Sequence, residues 1–258
     1  MSSSDTLAQL IALSCSLGDP ARDLAILGEG NTSARLDEES FLVKASGKEL
    51  RSADAGSFVA VSLPGALEVL DGPDLTDAGV REALVRLSRG AAAGSGAALM
   101  PSVETFLHAY LLSLPGIRFV GHTHPTAVNA ILCSVRSREL TAGRLFPDEI
   151  VCCGPASVYV PYTDPGLPLA RELRRQVEDF IDRENMAPRV ILMENHGLIA
   201  LGATPRDVET ATDMQVKAAR ILLGACAAGG PRPLAPQHVA RIHTRPDEHY
   251  RQKQIGGT

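Results

Sequence analysis

Two histidines separated by one residue, in His122-Thr123-His124-Pro125, stand at the end of an apolar run. Strand side chains alternate between faces, so imidazoles at i and i+2 project the same way and can reach one ion. Pro125 then ends the ladder and leaves that edge open to a cleft. Taken alone, the pair is also compatible with ordinary histidines at a sheet edge. A third, His196, lies in Glu194-Asn195-His196-Gly197, a tight turn between two apolar runs, and by itself it reads equally as a capping or core-edge residue. Together His122, His124 and His196 make the three-histidine set of a catalytic zinc site, in which the fourth position is left for substrate. Glu104 follows Ser102 by two residues, just inside an expected helix start. There it is either a carboxylate favoured by the helix dipole, or one beside the metal that ligates it at rest and moves protons once substrate displaces it.

A second group of residues suits an anion. Gly28-Glu29-Gly30-Asn31-Thr32-Ser33 and Ala45-Ser46-Gly47-Lys48 are turns rich in glycine and small hydroxyls, which present backbone N–H groups. The helix start at Ser102 adds free amides and a favourable dipole. Each of these also occurs where a chain merely reverses direction.

The elements that must hold these residues follow from periodicity and punctuation. Apolar spacing predicts helices over 5–17, 76–89 and 103–113, with Ser102 as N-cap of the last. Further helices are expected from Pro125 to about Leu132, over 166–184, and from a Thr204 cap with Pro205 and Asp207 to about Gly224. Residues 32–36 and 40–44 read as a hairpin, and 58–63 with 66–70 as a second strand pair around Pro64-Gly65. Strands are also expected over 117–122, near 149–153 and 156–160, and over 190–194 and 198–201. Cys152 and Cys153 would then point to opposite sides of a strand. The stretch 90–98 is a glycine-rich loop, and His108 lies one helical turn after Glu104, as support for it or as packing. Tight turns between several strand pairs predict a single α/β domain with a mostly antiparallel sheet. Its core covers about 5–225, and a Pro-rich, polar tail at 226–258 lies over the surface or a neighbour.

The whole chain has 258 residues, 45% hydrophobic and 21% charged, which is an ordinary globular balance and excludes disorder, collagen and coiled coil. A net charge of −5 without a basic stripe argues against a nucleic-acid partner. Five cysteines with no CxxC pair suggest a reducing compartment. No apolar run approaches the roughly 18 residues of a membrane span, and MSSSDTLAQL lacks the features of a signal peptide, so a cytoplasmic location is expected.

Gly30-Asn31-x-Ser33, Ser46-Gly47, Pro101-Ser102-Val103-Glu104, His122-x-His124 and Asn195-His196-Gly197 occur in the order and approximate spacing found in the class II aldolase/adducin family, which the chain resembles. The resemblance implies a three-layer α/β/α fold around a central, mostly antiparallel sheet. It implies a homotetramer with sites at subunit interfaces. It also implies Zn2+, or another divalent cation, on His122, His124 and His196, with Glu104 as resting ligand and catalytic acid/base. Gly30, Asn31, Ser46, Gly47 and Ser102 would surround a substrate phosphate, although Val103 stands where the phosphate-binding members carry a second serine. A tyrosine would protonate the departing oxygen, and Tyr250 in the tail is the candidate for it. The function implied is cleavage of a hydroxy-ketone sugar or sugar phosphate through an enediolate, to an aldehyde and a ketone fragment. A glutamate at 104, where the epimerases carry aspartate, favours carbon–carbon cleavage. The alternatives are a sugar-phosphate 4-epimerase or an oxo-acid-phosphate decarboxylase on the same frame, or a non-catalytic scaffold; zinc content separates the scaffold from the enzymes.

Overall fold

In the computed structural model, which describes residues 2–91 and 99–247, eight strands form one mixed sheet between two helical layers. The strands are β1 (Asn31–Arg35), β2 (Ser40–Lys44), β3 (Phe58–Ser62), β4 (Ser88–Ala91), β5 (Phe119–Thr123), β6 (Val158–Val160), β7 (Val190–Met193) and β8 (Gly197–Gly202). Their order is β4-β3-β2-β1-β5-β8-β7-β6, antiparallel throughout except for the parallel β6–β7 pair. Both faces are buried, as a sheet covered on two sides requires. Val43, Val59, Ile191 and Ile199 face one helical layer, while Leu42, Phe58, Leu192 and Leu198 face the other.

The first layer is built from α2 (Leu63–Asp71), α3 (Asp77–Leu87), α4 (Thr105–Ser113) and α7 (Leu167–Glu184). The second comprises α1 (Ser3–Leu17), α5 (Thr126–Leu132), α6 (Pro147–Cys153) and α8 (Pro205–Ala227). A final helix, α9 (Pro236–Thr244), lies against α6. Part of the stretch expected as a polar tail is therefore helical, and residues 248–258 of it lie outside the described residues. No helix among the described residues is long and apolar enough to cross a membrane.

Three expectations are corrected. Residues 66–70 are not a strand but part of α2, because the Ser62 hydroxyl accepts from the Gly65 N–H and Pro64 sits in the first turn. Residues 149–153 belong to α6, which Pro147 opens with Asp148 and Glu149 at its positive end. Cys152 and Cys153 are thus successive helical residues, both buried, and all five cysteines are free. The stretch 90–98 begins as edge strand β4, and residues 92–98 lie outside the described residues.

Arg144 is fully buried beside α6 and absent from any sequence expectation. Its guanidinium donates to Glu149 at 3.1 Å, to the carbonyls of Gly154 and Cys153 at 2.8 and 3.0 Å, and to Ser157 Oγ at 2.9 Å. Five donors in a planar fork suit this enclosed arrangement, which lysine could not reproduce. Arg144→Met leaves Glu149 charged and buried without its partner, so a stability loss of about 3–5 kcal/mol is expected in denaturant unfolding. A loss below about 1 kcal/mol would show that the pair relaxes into solvent.

Candidate active site

The predicted histidines converge at one end of the sheet. β1 and β5 pair with Asn31 opposite His122, and β5 and β8 with His122 opposite Ile199. His124 follows two residues on, where its N–H donates to the Leu24 carbonyl at 2.8 Å and the chain turns into α5. His196 arrives on the turn between β7 and β8. Asn195 there has φ 52°, a left-handed conformation asparagine tolerates, and the His196 N–H donates to the Met193 carbonyl at 3.2 Å. Gly197 is required by crowding: a Cβ would lie 2.6 Å from the Thr123 carbonyl oxygen and 2.8 Å from the His124 ring. Gly30 has φ 67° and room for a Cβ only 2.6 Å from the His122 carbonyl oxygen.

The three rings lie with centroids 4.7–5.2 Å apart, and one nitrogen from each falls within 4.8 Å of the others. Among the described residues they form the group able to hold a metal ion. His122 Nδ1 donates to the Leu198 carbonyl at 3.0 Å, and His124 Nδ1 to Glu29 Oε2 at 2.7 Å. With both Nδ1 hydrogens committed, the two Nε2 atoms face each other at 2.9 Å with lone pairs opposed. Such a donor set calls for a shared positive charge, and neutral imidazoles beside a carboxylate fit a divalent cation well. Burial is the main force holding His122 neutral, pushing its pKa down to about 3. It lowers that of His124 as well, with the neighbouring His196 adding to the effect.

Glu104 completes the cluster, with Oε1 3.2 Å from His196 Nε2 and Oε2 3.6 Å from His122 Nε2. Burial opposes ionisation of this carboxyl, but His122, His196 and the Asn31 amide outweigh it and hold the pKa below the usual carboxylate range. Here the helix boundary is corrected: Glu104, not Ser102, is the N-cap of α4. Ser102 forms the turn before it, its carbonyl accepting from the Thr105 N–H and its hydroxyl oxygen from the Glu104 N–H at 3.3 Å. The carboxylate consequently sits at the helix start, where the dipole favours its charge.

Behind it runs a chain of buried polar groups. Asn31 Nδ2 donates to Glu104 Oε2 at 2.6 Å and to Ser102 Oγ at 3.3 Å, while Asn31 Oδ1 accepts from His108 Nε2. His108 Nδ1 then accepts from the Ser33 hydroxyl at 2.7 Å. His108 thus fixes the orientation of the Asn31 amide, and so acts as support for Glu104 rather than as packing alone. Its burial pushes its pKa down to about 4 from the ordinary 6.5. Because the folded pKa of His108 and His122 lies below the unfolded value, the unfolded chain binds protons first as pH falls. Stability is therefore expected to drop from about pH 6.5 downward, by about 1–2 kcal/mol per buried histidine at pH 5. Urea titrations of the metal-free protein at pH 7.5 and 5 check this, and equal stability at the two would refute it.

A cleft of about 230 Å³ opens beside Glu104, His124 and His196 and runs to Gly28, Ser46, Gly47 and Ser102. The expected anion-binding residues therefore share one cavity with His124, His196 and Glu104, while His122 lies buried behind it. Lys44 reaches its wall and donates to the carbonyls of Gly28, at 3.1 Å, and Lys48. Burial lowers its pKa, against the opposing pull of Glu104 and Glu49. Val103 is 50% exposed at the rim. Of the tyrosines, Tyr110 and Tyr159 are buried, and Tyr162 is 54% exposed on the loop after β6; Tyr250 lies outside the described residues. Sequence reasoning missed the carboxylate of Glu29, which was legible only as part of a glycine-flanked turn.

A family model, the class II aldolase and adducin N-terminal domain, matches residues 8–223. The chain belongs to this family. Among solved structures, an L-fuculose 1-phosphate aldolase superimposes with a TM-score of 0.68 at 19% identity, over 94% of this chain and 96% of that one. YgbL of Klebsiella pneumoniae, assigned among aldolase, epimerase and decarboxylase activities, gives a TM-score of 0.68 at 19% identity, over 94% and 99%. These likenesses establish the class II aldolase fold, in agreement with the three layers described above. Bacillus subtilis YuxG, named an uncharacterized oxidoreductase, is 29% identical over 185 residues, which is 69% of this chain. The present chain spans 24% of the length of that relative.

Proposed function

We propose that this class II aldolase family member is a zinc-dependent aldehyde-lyase that cleaves a hydroxy-ketone sugar or sugar phosphate into an aldehyde and a ketone fragment. The observation that carries the proposal is the convergence of His122, His124 and His196 on Glu104 at the mouth of a polar cleft. The three imidazoles would hold Zn2+ with Glu104 as the resting fourth ligand, and the bound ion would supply Lewis acidity at the substrate's carbonyl oxygen.

The chain's own groups account for the remaining requirements. Cleavage needs a group that returns a proton to the carbon left behind, and Glu104 would serve for this. Asn31 holds its Oε2, so Oε1 is the oxygen turned toward His196. Ser102 Oγ already accepts from Glu104 N–H and Asn31 Nδ2, so its own hydrogen is available to donate into the cleft. With Ser46, Gly47 and the buried Lys44, it would bind the phosphate or hydroxyl end of the substrate. As the C–C bond breaks, the hydroxyl on the far side of it becomes the aldehyde carbonyl and gives up its proton. A tyrosine would relay that proton to solvent, and with Tyr110 and Tyr159 buried the choice lies between Tyr162 and Tyr250. A cytoplasmic homotetramer with sites between subunits belongs to the same proposal. The test is aldehyde release from a panel of ketose phosphates and free ketoses, with zinc measured on the same sample. Stereochemical inversion without aldehyde would replace lyase by epimerase, and a protein that binds no metal and ignores chelators would leave a scaffold.

A further inference from the structure

We propose that Glu29 sets the affinity of the histidine site for its metal by locking His124 in the tautomer that presents Nε2. This inference rests on the metal site of the preceding proposal, but not on the reaction assigned to it. Glu29 uses both carboxylate oxygens: Oε2 accepts from His124 Nδ1 at 2.7 Å, and Oε1 accepts from the Ile26 N–H at 2.7 Å. The Ile26 carbonyl in turn accepts from the Glu29 N–H at 3.2 Å, closing the turn on itself. Leu27 within that turn has φ 51°, and Lys44 Nζ holds the Gly28 carbonyl from below. The carboxylate is therefore fixed by its own loop before it meets the imidazole.

The two histidines of the HxH pair need this support unequally. His122 is 1% exposed and has the Leu198 carbonyl of a paired strand as its Nδ1 partner. His124 is 20% exposed and lies past the end of β5, where no strand neighbour offers a carbonyl to its ring. Without Glu29, its Nδ1 would face water, the ring could rotate, and either nitrogen could carry the hydrogen. A carboxylate partner removes that freedom and makes the imidazole a stronger donor to a cation than a carbonyl partner would. Glu29 acts through His124 and is a positioning residue.

Glu29→Gln is the discriminating variant, because it keeps the length but has one acceptor for two N–H donors. Zinc affinity of the metal-free, full-length protein, measured by competition with a chromophoric chelator, is expected to weaken about 10–100-fold. The d–d absorption of the Co2+-loaded variant should shift, while thermal unfolding of the metal-free form stays close to wild type. Glu29→Asp, charged but one methylene short of bridging both donors, should fall between the two and serves if Glu29→Gln folds poorly. Affinity of Glu29→Gln within twofold of wild type overturns the inference while leaving the histidine site standing. Wild-type protein that takes up no zinc overturns both. Because no substrate is present, neither result depends on whether the enzyme is an aldolase.

Discussion

Glu104→Gln is expected to lower turnover by about 10²–10⁴, the span usual for loss of a general acid/base, with KM and zinc content changing far less. The substitution keeps the side chain's shape, and a glutamine can still accept from Asn31 Nδ2 through its carbonyl oxygen. What it loses is the ability to exchange a proton at neutral pH. The surrounding groups were arranged for an anion, as the depressed carboxyl pKa and the Asn31–His108–Ser33 chain attest. Steady-state kinetics on the most active ketose of the panel, together with metal analysis, make the measurement. Turnover within a few-fold of wild type would reduce Glu104 to a carboxylate that merely favours a helix start.

His124→Ala is expected to take zinc from about one per chain to near zero and abolish turnover, with circular dichroism unchanged. A three-nitrogen site loses a third of its neutral donors, while the fold loses little because the ring is only partly buried beyond the end of β5. His122→Ala should also lose metal but cost stability as well, since that residue is fully buried on β5, which runs between β1 and β8. Full zinc and full activity in His124→Ala would dismiss the site assignment. Retained zinc with lost activity would instead give His124 a role toward substrate.

Much of this site was legible before any coordinates because its spacing is mechanical. A strand's period of two puts His122 and His124 on one side, and the Asn195-His196-Gly197 turn is dictated by a left-handed backbone and a glycine with no room for Cβ. The misassigned elements were short apolar runs, 66–70 and 149–153, in which periodicity alone does not separate strand from helix. Ser62 with Pro64, and Pro147 with two acids after it, decided both for helix. Strand β4 was hidden because Ser88-Arg89-Gly90-Ala91 carries no strand-like pattern and pairs at the edge. Glu29 and Arg144 were out of reach for another reason. The contact that gives Glu29 its role, with His124, joins residues 95 apart, and four contacts from separate turns and a helix converge on Arg144.

The central position of β5, between β1 and β8, also has a consequence in time. His122 and His124 leave the ribosome roughly 70 residues ahead of His196. At about 5–20 residues per second, a nascent chain carries the HxH pair for about 4–14 s before its third nitrogen exists. In that interval β1 can already lie against β5, but β8 has not been made, and the carbonyl of Leu198 that orients His122 is missing too. Any metal ion met during synthesis encounters a two-imidazole fragment with one ring unoriented. A metal site on these three histidines would therefore be complete only once β8 has joined the sheet beside β5.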